Sequence, residues 1–135
     1  MRDWFGHRYK VLTDCGIEGF WNDMNEPASF DGELPPDVEF TNEARPITHA
    51  EAHNFYGHNM SKATYEGLKA LTGKRPFVIT RACYAGTQKY STVWTGDNQS
   101  LWAHLQMAIP QLCNLGLSGI AFAGTDVGGF GCNTT

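Results

Sequence analysis

The sequence predicts an α/β fold built on a mostly parallel sheet with flanking helices, and three observations carry that prediction. Helix-length amphipathic stretches alternate with short apolar runs along the chain, the pattern of connections that cross over a sheet. The apolar runs are apolar throughout rather than alternating, as expected of strands covered on both faces. Finally, Asp23, Arg81, Asp97 and Asp126 each follow one of these runs at its C-terminal end. In a parallel sheet those ends lie together, and in a (β/α)8 barrel they carry the active site.

Each element has its own signal. Residues 2–14 read as a helix, with Trp4, Phe5, Arg8, Tyr9, Val11 and Leu12 forming a broad stripe and Gly16 available to end it. Residues 17–21 read as a buried strand that ends at Asn22-Asp23. Residues 27–47 hold Pro27, Pro35, Pro36 and Pro46 with no period, a long excursion of the functional kind. Glu33, Asp37, Glu39 and Glu43 within it read as a solvated acidic loop without a calcium-ligand pattern. Thr48-His49-Ala50-Glu51 has the spacing of a capping box, opening a second helix through Phe55, Met60, Ala63 and Leu68 that Gly73 can end.

Residues 76–81 form the next strand, with Pro76 at its first position, where no ladder donor is needed. Residues 91–95 form another. The link between them, about ten residues, is shorter than a parallel crossover normally needs, so a helical turn at 85–90 has to serve. Residues 100–115 form a third helix, bent at Pro110, and residues 119–124 form the last strand, ending at Thr125-Asp126.

Composition narrows the function classes. With 135 residues the chain is one domain or part of one. A net charge of −4 and a pI near 5.6 supply no basic surplus for nucleic acid or an anionic membrane. No apolar run approaches the ~20 residues of a membrane span. Cys15, Cys83, Cys113 and Cys132 contain no Cys-x-x-Cys pair and read as reduced packing residues, which suits a cytoplasmic protein. His49 and His53 lie one turn apart without a third ligand in register and read as a solvated helix face, so no metal is expected. The glycines after Asp126 lack dinucleotide-binding spacing, so no cofactor is expected. Asn59-Met60-Ser61, Asn98-Gln99-Ser100 and Asn133-Thr134-Thr135 fit the glycosylation pattern, as triplets often do by chance.

The specific chemistry lies in two aspartates in tryptophan-containing segments, Asp23 in Trp21-Asn22-Asp23-Met24-Asn25-Glu26-Pro27 and Asp97 in Val93-Trp94-Thr95-Gly96-Asp97-Asn98. Two carboxyls with aromatic walls suit cleavage of a glycosidic bond, in which one attacks or stabilises a cationic sugar carbon and the other protonates the leaving oxygen. Taken singly, each aspartate could equally be a cap or a turn residue. Trp21 and Trp94 are either core or the walls of a sugar site. Arg81 either pairs with an acid at the strand ends or orients a carboxylate bidentately, and the two readings are compatible.

These segments resemble glycoside hydrolase family 31, the α-glucosidase family. The run 21–27 resembles its nucleophile signature. Arg81, Trp94-Thr95-Gly96-Asp97-Asn98 and Gly124-Thr125-Asp126-Val127-Gly128-Gly129-Phe130 resemble three further family segments in the family's order. The resemblance implies a retaining exo-acting hydrolase on terminal α-linked glucose or, as the alternative within the family, an α-glucosyl transferase. Asp23 would be its nucleophile and Asp97 its acid and base, with Trp21, Met24, Arg81, Trp94, Asp126 and Phe130 lining the glucose subsite. It also implies that the chain is about half of a (β/α)8 (TIM) barrel, from the helix before the fourth strand to the end of the seventh. An isolated half-barrel, with two open strand edges and an uncovered apolar face, is expected to associate with itself and to show little or no activity.

Overall fold

The computed structural model describes residues 2–42 and 44–134. Glu43 of the acidic excursion and Thr135 of the last glycosylation triplet lie outside the described residues. Among the described residues five helices, α1 (Arg2–Arg8), α2 (Lys10–Asp14), α3 (His49–Ala52), α4 (Tyr56–Thr72) and α5 (Trp102–Leu117), accompany six strands. The strands are β1 (Gly19–Asn22), β2 (Glu39–Phe40), β3 (Ile47–Thr48), β4 (Phe77–Thr80), β5 (Thr92–Trp94) and β6 (Ala123–Gly124). Strands β1, β4, β5 and β6 form one sheet in that order, every pair parallel. The excursion folds its own antiparallel pair, β2 with β3.

The expected first helix is interrupted at Tyr9, whose side chain points inward. Its hydroxyl lies 3.2 Å from Asn22 Oδ1 and 3.0 Å from Thr64 Oγ1, and its ring stands edge-on to Phe20. The resulting core unites Phe20, Leu68 and Val78, with Tyr9 against them. The capping box at Thr48 forms, with Thr48 Oγ1 accepting the Glu51 amide and Glu51 accepting the Thr48 amide. The second helix is continuous only as far as Ala52, passes through a 3-10 turn at His53–Phe55, and resumes as α4 until Gly73 ends it in a left-handed conformation. A 3-10 turn at Thr87–Lys89 closes the short link between β4 and β5. Helix α5 runs on through Pro110.

Four expectations need correction. The sheet is not covered on both faces. Phe20, Val78 and Val93 are buried on one face, but residues alternate in exposure along β1 and β4, and Trp21, Phe77 and Phe122 are 60%, 49% and 68% exposed. The last strand shrinks to Ala123–Gly124, because only those residues face partners, Val93 and Trp94, on β5. All four cysteines are free, yet Cys15, Cys113 and Cys132 are exposed rather than packed. Likewise His49 is buried against Phe40 and the ring of His53 rather than solvated. No helix among the described residues is long and apolar enough to cross a membrane.

Candidate active site

Because β1, β4, β5 and β6 run parallel, the residues that follow them collect at one end of the sheet. Asp23 follows β1 directly and Arg81 follows β4, with the Arg81 amide bonded to Asn22 O at 3.2 Å. Asp97 lies beyond β5 and Asp126 beyond β6. The guanidinium of Arg81 is the centre of this group. Its Nε lies 3.4 Å from Asp23 Oδ1 and its Nη1 lies 3.5 Å from Asp97 Oδ2. Two carboxylates distant in sequence therefore meet on one cation.

The tightest partner of Arg81 is neither of them. Glu26 accepts from Nε at 2.8 Å and from Nη2 at 2.9 Å, a bidentate pair. That hydrogen bond holds the Glu26 carboxyl below the usual carboxylate range against the opposing effect of burial. The same bond raises Arg81, with smaller contributions from the charges of Asp23 and Asp97. Glu26 lies within the 21–27 motif, and nothing in its spacing marks it as a partner of Arg81. The missed signal was an arginine bordered by more acids than one guanidinium edge can serve.

The segment holding Asp23 is fixed from beneath. Asn25 is fully buried, with Nδ2 donating to Thr80 Oγ1 at 2.9 Å and Oδ1 accepting the Ala82 amide at 3.1 Å. It staples the turn after β1 to the end of β4. Asn22 is likewise buried, bonded to Tyr9 and Thr64. Asp23 Oδ1 accepts the amide of Met24, a non-glycine residue held at φ 53°. The Glu26-Pro27 peptide is cis.

The aromatic residues divide. Trp21 and Trp94 meet edge to face at 5.0 Å, with Trp94 buried and Trp21 exposed. Both line a hollow of about 340 Å³ on the open sheet face, together with Ile79, Phe122 and Asp126. Asp23, Arg81 and Asp97 stand outside its lining, as do Met24 and Phe130, which are exposed on the loops after β1 and β6. Thus the structure brings Asp23, Arg81 and Asp97 together, and separately Trp21, Trp94 and Asp126. Met24 joins the first set only through its backbone amide on Asp23 Oδ1, and neither Met24 nor Phe130 lines the hollow.

Comparison with known proteins bears on the family and the fold. The model of the glycosyl hydrolases family 31 TIM-barrel domain matches residues 1–135. Alpha-glucosidase 2 of Bacillus thermoamyloliquefaciens is 55% identical over 137 residues, covering 99% of this chain and 17% of that protein. Human neutral alpha-glucosidase AB is 46% identical over 138 residues, covering 96% of this chain and 14% of that protein. A crystal structure of the glucosidase II alpha subunit superposes with a TM-score of 0.83 at 36% identity, over 98% of this chain and 15% of that one. A family 31 alpha-glucosidase from Bacteroides thetaiotaomicron gives 0.75 at 37% identity, over 98% of this chain and 21% of that one. The chain spans less than a fifth of the length of the curated relatives it matches.

Proposed function

This chain belongs to glycoside hydrolase family 31, and its four-stranded parallel sheet is an arc of that family's (β/α)8 barrel; from that premise we propose that it carries both catalytic carboxylates of a retaining α-glucosidase. In this reading Asp97 protonates the glycosidic oxygen while Asp23 attacks the anomeric carbon of a terminal α-linked glucose. The bond to the leaving sugar breaks as a β-linked glucosyl ester forms on Asp23. Asp97, now a carboxylate, takes a proton from water. The water attacks the anomeric carbon, Asp23 leaves, and glucose departs with its α configuration.

The observation that carries the reading is the shared guanidinium: Asp23 and Asp97 lie 3.4 and 3.5 Å from nitrogens of Arg81. A double displacement needs its two carboxyl groups roughly 5–5.5 Å apart, and a common cation holds them on one side of the sheet. Trp21, Trp94 and Asp126 supply one wall of a sugar-sized hollow beside them, and Met24 and Phe130 complete the proposed glucose subsite from the neighbouring loops. The substrate is an α-glucoside oligosaccharide.

The test is covalent trapping. A 5-fluoro-α-glucosyl fluoride should add one fluoroglucosyl group to Asp23, seen by peptide mass spectrometry, and Asp23→Ala should abolish it. Label on another residue, in a chain supplied with the remaining barrel strands, would remove Asp23 from the role.

A second reading concerns the isolated chain. Trp21, Phe77 and Phe122 leave one sheet face apolar and exposed, and such a face favours a second copy over water. In this reading the 135-residue chain alone is a self-associated half-barrel with little turnover. Sedimentation of a monomer at micromolar concentration would sink it.

A further inference from the structure

Asn98 follows Asp97 directly and takes no part in the chemistry proposed above, yet it is the most heavily bonded residue of its loop. Its Nδ2 donates to the backbone carbonyl of Asp126 at 3.0 Å, and its Oδ1 accepts from Thr125 Oγ1 at 3.4 Å. A carbonyl only accepts, so the atom facing Asp126 O must be the nitrogen. Its own carbonyl accepts the Phe130 amide at 2.8 Å and the Gly131 amide at 3.4 Å. Thr125 Oγ1 lies 3.1 Å from Thr95 Oγ1, which closes the network back onto the end of β5.

Beside it the two loops touch backbone to backbone. Ser100 donates its amide and its hydroxyl to Gly131 O, each at 2.9 Å. A Cβ on Gly129, whose φ is +91°, would stand 2.4 Å from Ser100 N, so that approach requires glycine. The loop after β5 and the loop after β6 are thereby clamped, and the carboxamide of Asn98 sits between Asp97 and Asp126.

We infer that Asn98 is a positioning residue, a latch that holds the segment carrying Asp97 in fixed register with the segment carrying Asp126. Its consequence for catalysis rests on the glucosidase reading; the latch itself rests on the hydrogen bonds. Asn98→Asp keeps the size and the acceptor facing Thr125 but sets an oxygen against the Asp126 carbonyl. Asn98→Ala removes both bonds.

Two measurements decide it. The first uses the 135-residue chain and needs no turnover. In both variants the Gly129 and Phe130 amides should exchange with solvent about tenfold faster, while the Val93 amide in β5, bonded to Phe122 O, keeps its protection and certifies the fold. Unchanged exchange at Gly129 and Phe130 overturns the latch. The second uses the chain joined to the rest of its barrel. A misplaced acid harms substrates whose leaving group needs a proton, so Asn98→Asp should lower kcat on maltose about tenfold more than on α-glucosyl fluoride. Equal losses on the two substrates overturn positioning through Asp97. Wild-type chain inert towards both substrates would instead sink the glucosidase reading, leaving the latch to be decided by exchange.

Discussion

Arg81 and Glu26 meet edge to edge, with Nε and Nη2 donating to the two oxygens of one carboxylate at 2.8 and 2.9 Å. Asp23 and Asp97 touch the same guanidinium at the longer distances of 3.4 and 3.5 Å. Glu26 therefore fixes the plane of the cation, with Asp23 beside the same Nε and Asp97 beside Nη1.

Glu26→Gln keeps the shape and removes the charge, so Arg81 is free to swing towards Asp23 or Asp97. A displacement near 1 Å at a reacting group costs about 100-fold, and kcat/KM on a nitrophenyl α-glucoside should fall by about that factor. Thermal unfolding should move little, since the Glu26 side chain is 39% exposed, solvent screens it, and Asp23 and Asp97 still flank Arg81. Activity equal to wild type in Glu26→Gln would show that Arg81 does not need this anchor.

The sequence made the parallel sheet legible because each strand is a short apolar run punctuated by a polar residue; the parallel pairing of β4 with β5 ran against the shortness of their link and is made by a 3-10 turn. The capping box at Thr48 and Glu51 was equally legible, being a local pattern with one geometry. What could not be read was choice among equivalents. Three acids surround Arg81, and spacing alone does not say that Glu26 takes the bidentate edge. Nor does composition separate two tryptophans on one sheet face: Trp94 is buried and Trp21, edge-on against it, is exposed. The break at Tyr9 was hidden because an inward hydroxyl bonded to Asn22 and Thr64 is a tertiary event on a helical pattern.

Asn25 should be the most costly polar residue of the site to remove. It is fully buried and pairs with Thr80 Oγ1 and the Ala82 amide. Asn25→Ala leaves a buried amide without a partner and opens a gap between the Asp23 turn and β4. A loss of about 2–3 kcal/mol is expected from urea unfolding. Asn25→Asp, which keeps the acceptor facing Ala82, should recover part of it. A loss under about 0.5 kcal/mol in the alanine variant would mean that water replaces the staple.

Helices α1 and α4 cross at two glycines. A Cβ on Gly67 would stand 2.3 Å from Gly6 Cα, whereas one on Gly116 in α5 meets nothing within 4 Å. Alanine gains up to about 1 kcal/mol of helix propensity at either place, but overpacking at the crossing costs about 1–3 kcal/mol. Gly67→Ala should therefore destabilise and Gly116→Ala should stabilise, compared side by side in urea. The two variants shifting in the same direction would refute the close approach of α1 and α4.

His58 predicts an acid weakness in the fold. Its Nδ1 lies 2.9 Å from Thr87 Oγ1, which also accepts the Tyr84 amide at 2.9 Å. Burial, then the charges of Lys62 and Lys89, hold the His58 pKa below its ordinary 6.5. The unfolded chain thus takes up a proton at a pH where the folded chain still refuses it. The stability tied to neutral His58 is complete above pH 6.5 and is lost as pH falls through the lower folded value. His58→Gln cannot titrate, so the gap in unfolding midpoint between wild type and variant should narrow or reverse as pH drops from 7.5 towards 5 (roughly the range over which a depressed histidine titrates). A gap that stays constant or widens on acidification would show that the imidazole is as free to charge in the fold as out of it.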